Sequence, residues 1–297
     1  MRIIECVPNF SVARNKPVVK TIVDEVKSQK GVKLLNSHVD PDHGRLVLTY
    51  IGEPEAVGEA AFALAATAVE LIDVHKHEGV HPWFGAIDVI PFIPLKARMS
   101  DCIKISHEVG KEIAEKLKVP VYLYGEAATR PERRDLSEVR KGGYEALLQR
   151  INLPEWKPDY GEPKEHPTAG AVAIGARDTL IAFNVNLNSD RLEIARAIAG
   201  KIREKDGGLP GIKALGVPLE SRGIVQVTTN ITDFRKTSLK QVFEAIKNEA
   251  EKYRTPVLES EIVGLIPKEA TFPEMKDYLQ LPSFDDSKIL ETHLAVL

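Results

Sequence analysis

Eighteen residues, Ile151 to Thr168 (INLPEWKPDYGEPKEHPT), carry four prolines and no sustained apolar period. A proline lacks the backbone donor and fixes φ, so neither a helix interior nor a central strand can run through this stretch. It belongs on the surface or across the junction of two lobes, and a chain of 297 residues is long enough for two.

The two sides of the stretch repeat one order of elements. On the first, a strand from Ile3 to Val7 ends at the turn-forming pair Pro8-Asn9. A helix follows over Lys16 to Gln29, with Val18, Ile22, Val23 and Val26 at helical spacing. Strands Val32 to Leu35 and Arg45 to Ile51 flank a polar loop, NSHVDPDHG. The alanine-rich run EPEAVGEAAFALAATAVELID reads as a buried helix ending near Asp73, and IDVIPFIPL as an apolar strand. A helix (Ser100 to Leu117) and a strand (Pro120 to Tyr124) extend this sheet. On the second side, TLIAFNVNL is a strand and Ser189 to Lys205 a helix with a Ser or Asp cap. GIKALGVPL and GIVQVTTNI pair, Leu239 to Tyr253 is amphipathic, and SEIVGLIP closes. The expected fold is α/β (α+β): two ferredoxin-like βαββαβ subdomains in tandem, residues 1–177 and 178–297. Packing their helix-free faces together would leave a cleft suited to a ligand.

Composition narrows the partners. An apolar share of 43% and a charged share of 28% are those of a folded globular protein. Net charge is -3 with basic residues dispersed, so the field that nucleic acid requires is missing. No segment approaches the ~18 apolar residues of a membrane span, and the N-terminus has no signal-peptide run. Cys6 and Cys102 stand far apart in sequence without paired spacing, which argues against a disulfide framework and fits a reducing cytoplasm.

Chemistry concentrates in DVHKHEGVHPW, residues 73–83. His75 and His77 alternate on an extended segment near Asp73, Glu78 and His81, which allows a metal site; HExxH is absent, and no metal is expected. The favoured reading makes His75 and His77 the polar end of the alanine-rich helix, where imidazolium suits the negative dipole end. His81 differs, since it lies between Gly79 and Pro82 in a loop entering a buried strand, where a proton carrier is well held. The loop NSHVDPDHGR offers Asp40, Asp42, His43 and Arg45. It is either a solvated turn or a partner of the His81 loop, with a carboxylate orienting the imidazole and Arg45 clamping a substrate carboxylate. Asn9, Ser11, Glu126 and Arg130 are further polar residues at strand ends. Neither GxSxG nor a P-loop is present.

The words ECVPNFS, GVHPWFGAIDVIPFIPL, VPVYLYGEAA, RKGGYEAL, KPDYG and GARDTLIAFNVNL occur in the order of the glutamate formiminotransferase family, which the chain resembles over nearly its whole length. The resemblance implies two similar α/β subdomains with folate between them. It also implies transfer of a formimino group from N-formimino-L-glutamate to N5 of tetrahydrofolate, a late step of histidine degradation. The family's catalytic histidine lies in GEHPRxGAxDV, a position matched by His81; Asp40 or Asp42 is the candidate for orienting or charging that base. The folate-contacting stretch after PDxG matches Gly161, Glu162, Pro163, Lys164, Glu165, His166, Pro167, Thr168, Ala169 and Gly170. Arg45 and Arg177 are the candidates for the substrate carboxylates. Tetrahydrofolate is the implied co-substrate and a homodimer the expected assembly. The chain ends where a fused cyclodeaminase would begin in animal relatives, so that second activity is not expected.

Two departures bear on substrate choice. Val80 and Trp83 stand where the family pattern has Glu and Arg, and its HNR word reads His43-Gly44-Arg45. They keep two alternatives open, a folate-dependent formyl transferase and a folate-binding protein without turnover.

Overall fold

The computed structural model describes residues 2–294; Met1 and residues 295–297, the outer ends of the two expected domains, lie outside them. The chain forms two compact units, Met1–Asp178 and Thr179–Leu297.

In the first unit, β1 (Ile4–Cys6) and β2 (Asn9–Phe10) are two pieces of one strand, followed by α1 (Lys16–Ser28), β3 (Val32–Asp40) and β4 (Arg45–Gly52). Then come α2 (Pro54–Leu71) and β5 (Ile87–Pro94). The strands β3, β4, β1/β2 and β5 lie side by side, all antiparallel, which is the ferredoxin-like order. Pro8-Asn9 does not end the first strand as expected. Asn9 pairs again with Val47 and Val89, because the missing proline donor interrupts the ladder for only a step. The expected nine-residue polar loop shrinks to a turn: β3 runs on through Asn36, Ser37 and His38 to Asp40, which pairs with Arg45. Among the named strands β3 pairs only with β4, and an edge strand tolerates polar residues that read as loop.

The extension is larger than expected. After α3 (Met99–Glu112) and a wide helical turn over Ile113–Leu117 comes β6 (Val121–Gly125), with the short helices α4 (Leu136–Val139) and α5 (Gly143–Arg150) beyond it. A strand not anticipated, β7 (Val172–Ala176), lies between β5 and β6, parallel to both. Its residues VAIGA are small, apolar and all buried, so it has no alternation to announce it. A Cβ on Gly175 would meet the Tyr124 carbonyl at 2.5 Å, so glycine permits the close approach to β6.

Helices α1, α2 and α3 bury Ile22, Val26, Leu64, Ile105 and Val109 against Phe10, Leu48, Tyr50 and Phe92 of the sheet. Each such side chain contributes about 1.5–3 kcal/mol. The proline-rich stretch covers the outer edge of β6. The Val121 N–H donates to the Tyr160 carbonyl (2.9 Å), the Leu123 N–H donates to Asp159 (2.8 Å), and buried Arg133 pairs with Asp159 (2.6 Å).

The second unit contains β8 (Ile181–Leu187), α6 (Leu192–Ile202), β9 (Ile212–Leu219), β10 (Ile224–Ile231), α7 (Leu239–Lys252) and β11 (Val257–Val263). Its sheet order, β11-β8-β10-β9, is again ferredoxin-like and antiparallel. Four boundaries differ from expectation by three or four residues: α6 also stops at Ile202 rather than Lys205, and β11 already begins at Val257 rather than Ser260. The helix expected from Ser189 starts at Leu192, and Ser189 instead accepts the Arg191 N–H in the preceding turn. The closing strand stops at Val263, because Gly264 takes φ +82.

Candidate active site

The β3–β4 hairpin and the segment before β5 hold the candidate residues. Asp40 closes the hairpin turn by accepting the His43 N–H (2.9 Å), and Gly44 takes φ +67. A Cβ on Gly44 would lie 2.4 Å from the Glu78 carbonyl and 2.8 Å from Gly79 Cα. Conversely, a Cβ on Gly79 would lie 2.4 Å from the His43 carbonyl. The two glycines let the loops touch backbone to backbone, and the Val80 N–H donates to the Asp42 carbonyl (3.2 Å) across the contact.

That contact brings His43, Arg45 and His81 together. Arg45 Nη1 lies 3.1 Å from His81 Nε2, and His81 Nδ1 lies 2.9 Å from the Pro82 carbonyl. The buried His43 ring stacks on His81, centroids 5.8 Å apart. A guanidinium can only donate, so Nε2 accepts from Arg45 and the neutral ring carries its proton on Nδ1. Burial first, then the charges of Arg45, Arg140 and His43, hold His81 well below the usual histidine range; the Pro82 carbonyl opposes them. The imidazole is therefore neutral near pH 7 and can accept a proton.

Asn9, Ser11, His77, Trp83 and Asp88 complete the lining of the cleft. Beneath it Asp88 accepts the Phe84 N–H (3.0 Å) and pairs with Arg140 (2.6 Å). Arg140 Nη1 also reaches the Pro82 carbonyl (3.3 Å). Sequence reasoning gave Asp88 and Arg140 no role, and it read His77 as a helix end or a metal ligand rather than as part of this cleft. An aspartate inside the apolar run IDVIPFIPL was a usable signal, and Arg140 opens the word RKGGYEAL without having been given a role.

His75 and His77 are not the end of α2, which stops at Leu71. They belong to a separate 3-10 turn, Val74–Lys76, and its flank, with Asp73 accepting the His75 N–H (3.1 Å). The two imidazoles also part: His77 Nδ1 donates to the Ser11 carbonyl (3.0 Å), and His75 Nε2 to that of Pro167 (2.9 Å).

The stretch Gly161–Gly170 is anchored at its far end. His166 and Gly170 exchange backbone hydrogen bonds of 2.9 and 3.0 Å. The His166 imidazole accepts the Thr168 and Ala169 N–H groups. The Thr168 and Ala169 carbonyls accept from Val74 and Ala86, which ties this loop to both flanks of the His81 segment. Trp83 stacks on Tyr144 (5.3 Å, 14°). Gly161 and Glu162 are exposed.

Other candidates lie elsewhere. Arg177 follows β7, five residues past the position opposite Asp88, about 16 Å along the sheet. There it influences buried Glu5 and Tyr124. Glu126 pairs with Arg134 on the surface, and Arg130 donates to the Pro154 and Glu155 carbonyls. Among the described residues no group of three or more His, Cys, Asp or Glu is placed to hold a metal ion.

Residues 3–177 match the formiminotransferase domain, N-terminal subdomain, and residues 182–291 match the formiminotransferase domain. The chain is 46% identical over 295 residues to glutamate formimidoyltransferase of Streptococcus pyogenes serotype M1, covering 99% of each. It is 46% identical over 294 residues to the Thermoplasma acidophilum protein of that name, covering 98% of this chain and 97% of that one. With formimidoyltransferase-cyclodeaminase of Rattus norvegicus it shares 42% over 276 residues, 91% of this chain and 51% of that one. Both halves of the domain and full-length relatives at this identity make the chain a member of the formiminotransferase family.

Proposed function

We propose that the protein is a glutamate formimidoyltransferase. It moves the formimino group of N-formimino-L-glutamate to N5 of tetrahydrofolate, giving 5-formiminotetrahydrofolate and L-glutamate in histidine degradation. The observation that carries this reading, beside the full-length relatives of that name, is His81 in a cleft with an arginine on its Nε2.

The reaction needs a group that takes a proton and returns it. N5 attacks the formimino carbon, and His81 Nε2 takes the N5 proton. The adduct collapses by breaking the bond from carbon to the glutamate nitrogen, which receives that proton from His81. Arg45 occupies Nε2 in the free protein, so it must leave first, and a donor carboxylate is the bidentate partner that draws it away. Binding the donor thereby uncovers the base. Asp40 acts through His43, whose backbone it holds and whose ring backs His81. Asp42 ties the hairpin to Val80 through its carbonyl. Gly161 to Gly170 contact the folate, with the anchored His166–Gly170 loop presenting it beside the base. Arg177 meets a carboxylate only of a ligand long enough to reach it.

A cytoplasmic homodimer agrees with this assignment, and the edge strands offer pairing surfaces. No helix among the described residues is long and apolar enough to cross a membrane.

Purified protein given formiminoglutamate and tetrahydrofolate is expected to release glutamate and form the formimino-folate in equal amounts. No glutamate release, or tetrahydrofolate binding without turnover, refutes the transferase. His81→Ala is expected to lower kcat by about 10²–10⁴-fold with folate binding retained; unchanged turnover removes His81 as the base.

A further inference from the structure

His81 is gripped at both nitrogens. Arg45 reaches Nε2, but on the mechanism above that contact ends when the donor binds. What then keeps the lone pair on Nε2 is the other grip. Nδ1 donates to the Pro82 carbonyl at 2.9 Å, and the same carbonyl accepts from Arg140 Nη1 at 3.3 Å. Arg140 Nη1 is 2.6 Å from Asp88 Oδ2, while Asp88 Oδ1 holds the Phe84 N–H at 3.0 Å. The Asp88 and Arg140 side chains are 5% and 14% exposed. A buried ion pair is a weak source of stability against well-packed apolar residues of similar volume. This one fastens both ends of the Pro82–Phe84 turn that carries the His81 acceptor.

We infer that Asp88 and Arg140 are a positioning pair: Arg140, charge-balanced by Asp88, fixes the Pro82 carbonyl and so keeps the His81 proton on Nδ1 and its lone pair on Nε2. The consequence for turnover rests on His81 being the base of the transfer proposed above; the tautomer does not.

The charged and titratable groups around the ring are Arg45 and His43 on the hairpin, Asp40 behind His43, His77, and the Asp88–Arg140 pair. Removing Arg140 alone leaves the Asp88 carboxylate uncompensated, so proton affinity of His81 rises; removing Asp88 alone does the reverse.

The test is ¹⁵N NMR of the histidines in the ligand-free protein, with His81 assigned by its loss in His81→Gln. Arg45→Met is expected to keep the Nδ1–H pattern, because the Pro82 carbonyl remains in place. Adding Arg140→Gln is expected to give mixed tautomers and at least about a tenfold rise in proton affinity. A lost pattern in Arg45→Met, or an unchanged pattern and titration in the folded double variant, overturns the pair. A merely structural pair lowers stability and moves neither. Arg140→Lys keeps the charge but ends one atom short of the Nη1 that reaches both Pro82 and Asp88, so kcat is expected to fall about tenfold with donor KM unchanged. Wild-type kcat there overturns the proposal even if Arg140→Gln does not fold. The expected tautomers in a protein without transfer activity support the pair and refute the transfer.

Discussion

Gly44→Ala tests whether the contact between the two loops holds His81 in place. At φ +67 an alanine costs about 1–2 kcal/mol, partly offset by about 0.4–1 kcal/mol of entropy lost from the unfolded chain. The added Cβ would sit 2.4 Å from the Glu78 carbonyl and 2.8 Å from His77 Cε1, so residues 77–79 must retreat by about 1 Å to reach ordinary contact. That retreat stretches the Val80–Asp42 hydrogen bond, a further loss of about 1 kcal/mol. The expected total is about 1–2.6 kcal/mol, read by urea unfolding. His81 lies two residues beyond Gly79, and a displacement near 1 Å at a catalytic group costs about 10²-fold in rate. Gly223→Ala is the control, because Gly223 has φ +62 and nothing within 4 Å of an added Cβ. It carries the conformational cost alone, about 1 kcal/mol, with kcat unchanged. A folded Gly44→Ala protein with kcat within about threefold of wild type refutes the idea that this backbone contact aligns His81.

Burial pushes the Glu5 carboxyl from 4.5 up to about 7, against the pull of Arg177. The folded state thus binds this proton more tightly, so its stabilisation is full below pH 4.5 and is lost as pH rises through 7. Glu5→Gln is expected to gain on wild type by about 3 kcal/mol between pH 4 and 8, measured by denaturant midpoints; a pH-independent difference refutes it. Arg133→Met leaves the buried Asp159 carboxylate without its partner and is expected to cost about 3–5 kcal/mol, with faster hydrogen exchange at Leu123, whose N–H Asp159 accepts. A loss below about 1 kcal/mol contradicts that account.

The order of elements was readable because each depends on local pattern. Ile22 and Val26 share one helical face, and β4 carries an apolar run between turns. Where neighbours decide, local pattern misleads. The polar residues of β3 read as loop because only pairing with β4 makes them strand, and β7 has no polar partner face to mark it. The site divides the same way. His81 and Arg45 stood out as chemistry-bearing loop residues, while their meeting depends on the Gly44–Gly79 approach, which no spacing encodes. Arg177 looked equivalent to Arg45 as an arginine beside a strand. Without β7 in the sheet, nothing told which end of the strands it would occupy.

Val80 and Trp83, where the pattern that the sequence resembles has Glu and Arg, hold the turn around His81 in separable ways. Val80 contributes its backbone N–H to Asp42, a bond any residue but proline makes. Trp83 stacks on Tyr144 and meets His77 edge to face at 4.5 Å, which braces the turn by packing. The charge balance is where the departures act. With Arg45, Arg140 and His43 already lowering the His81 pKa, a further arginine at position 83 would weaken the base and a glutamate at position 80 would strengthen it. Replacing both together removes one charge of each sign, so a neutral, proton-accepting His81 survives the exchange.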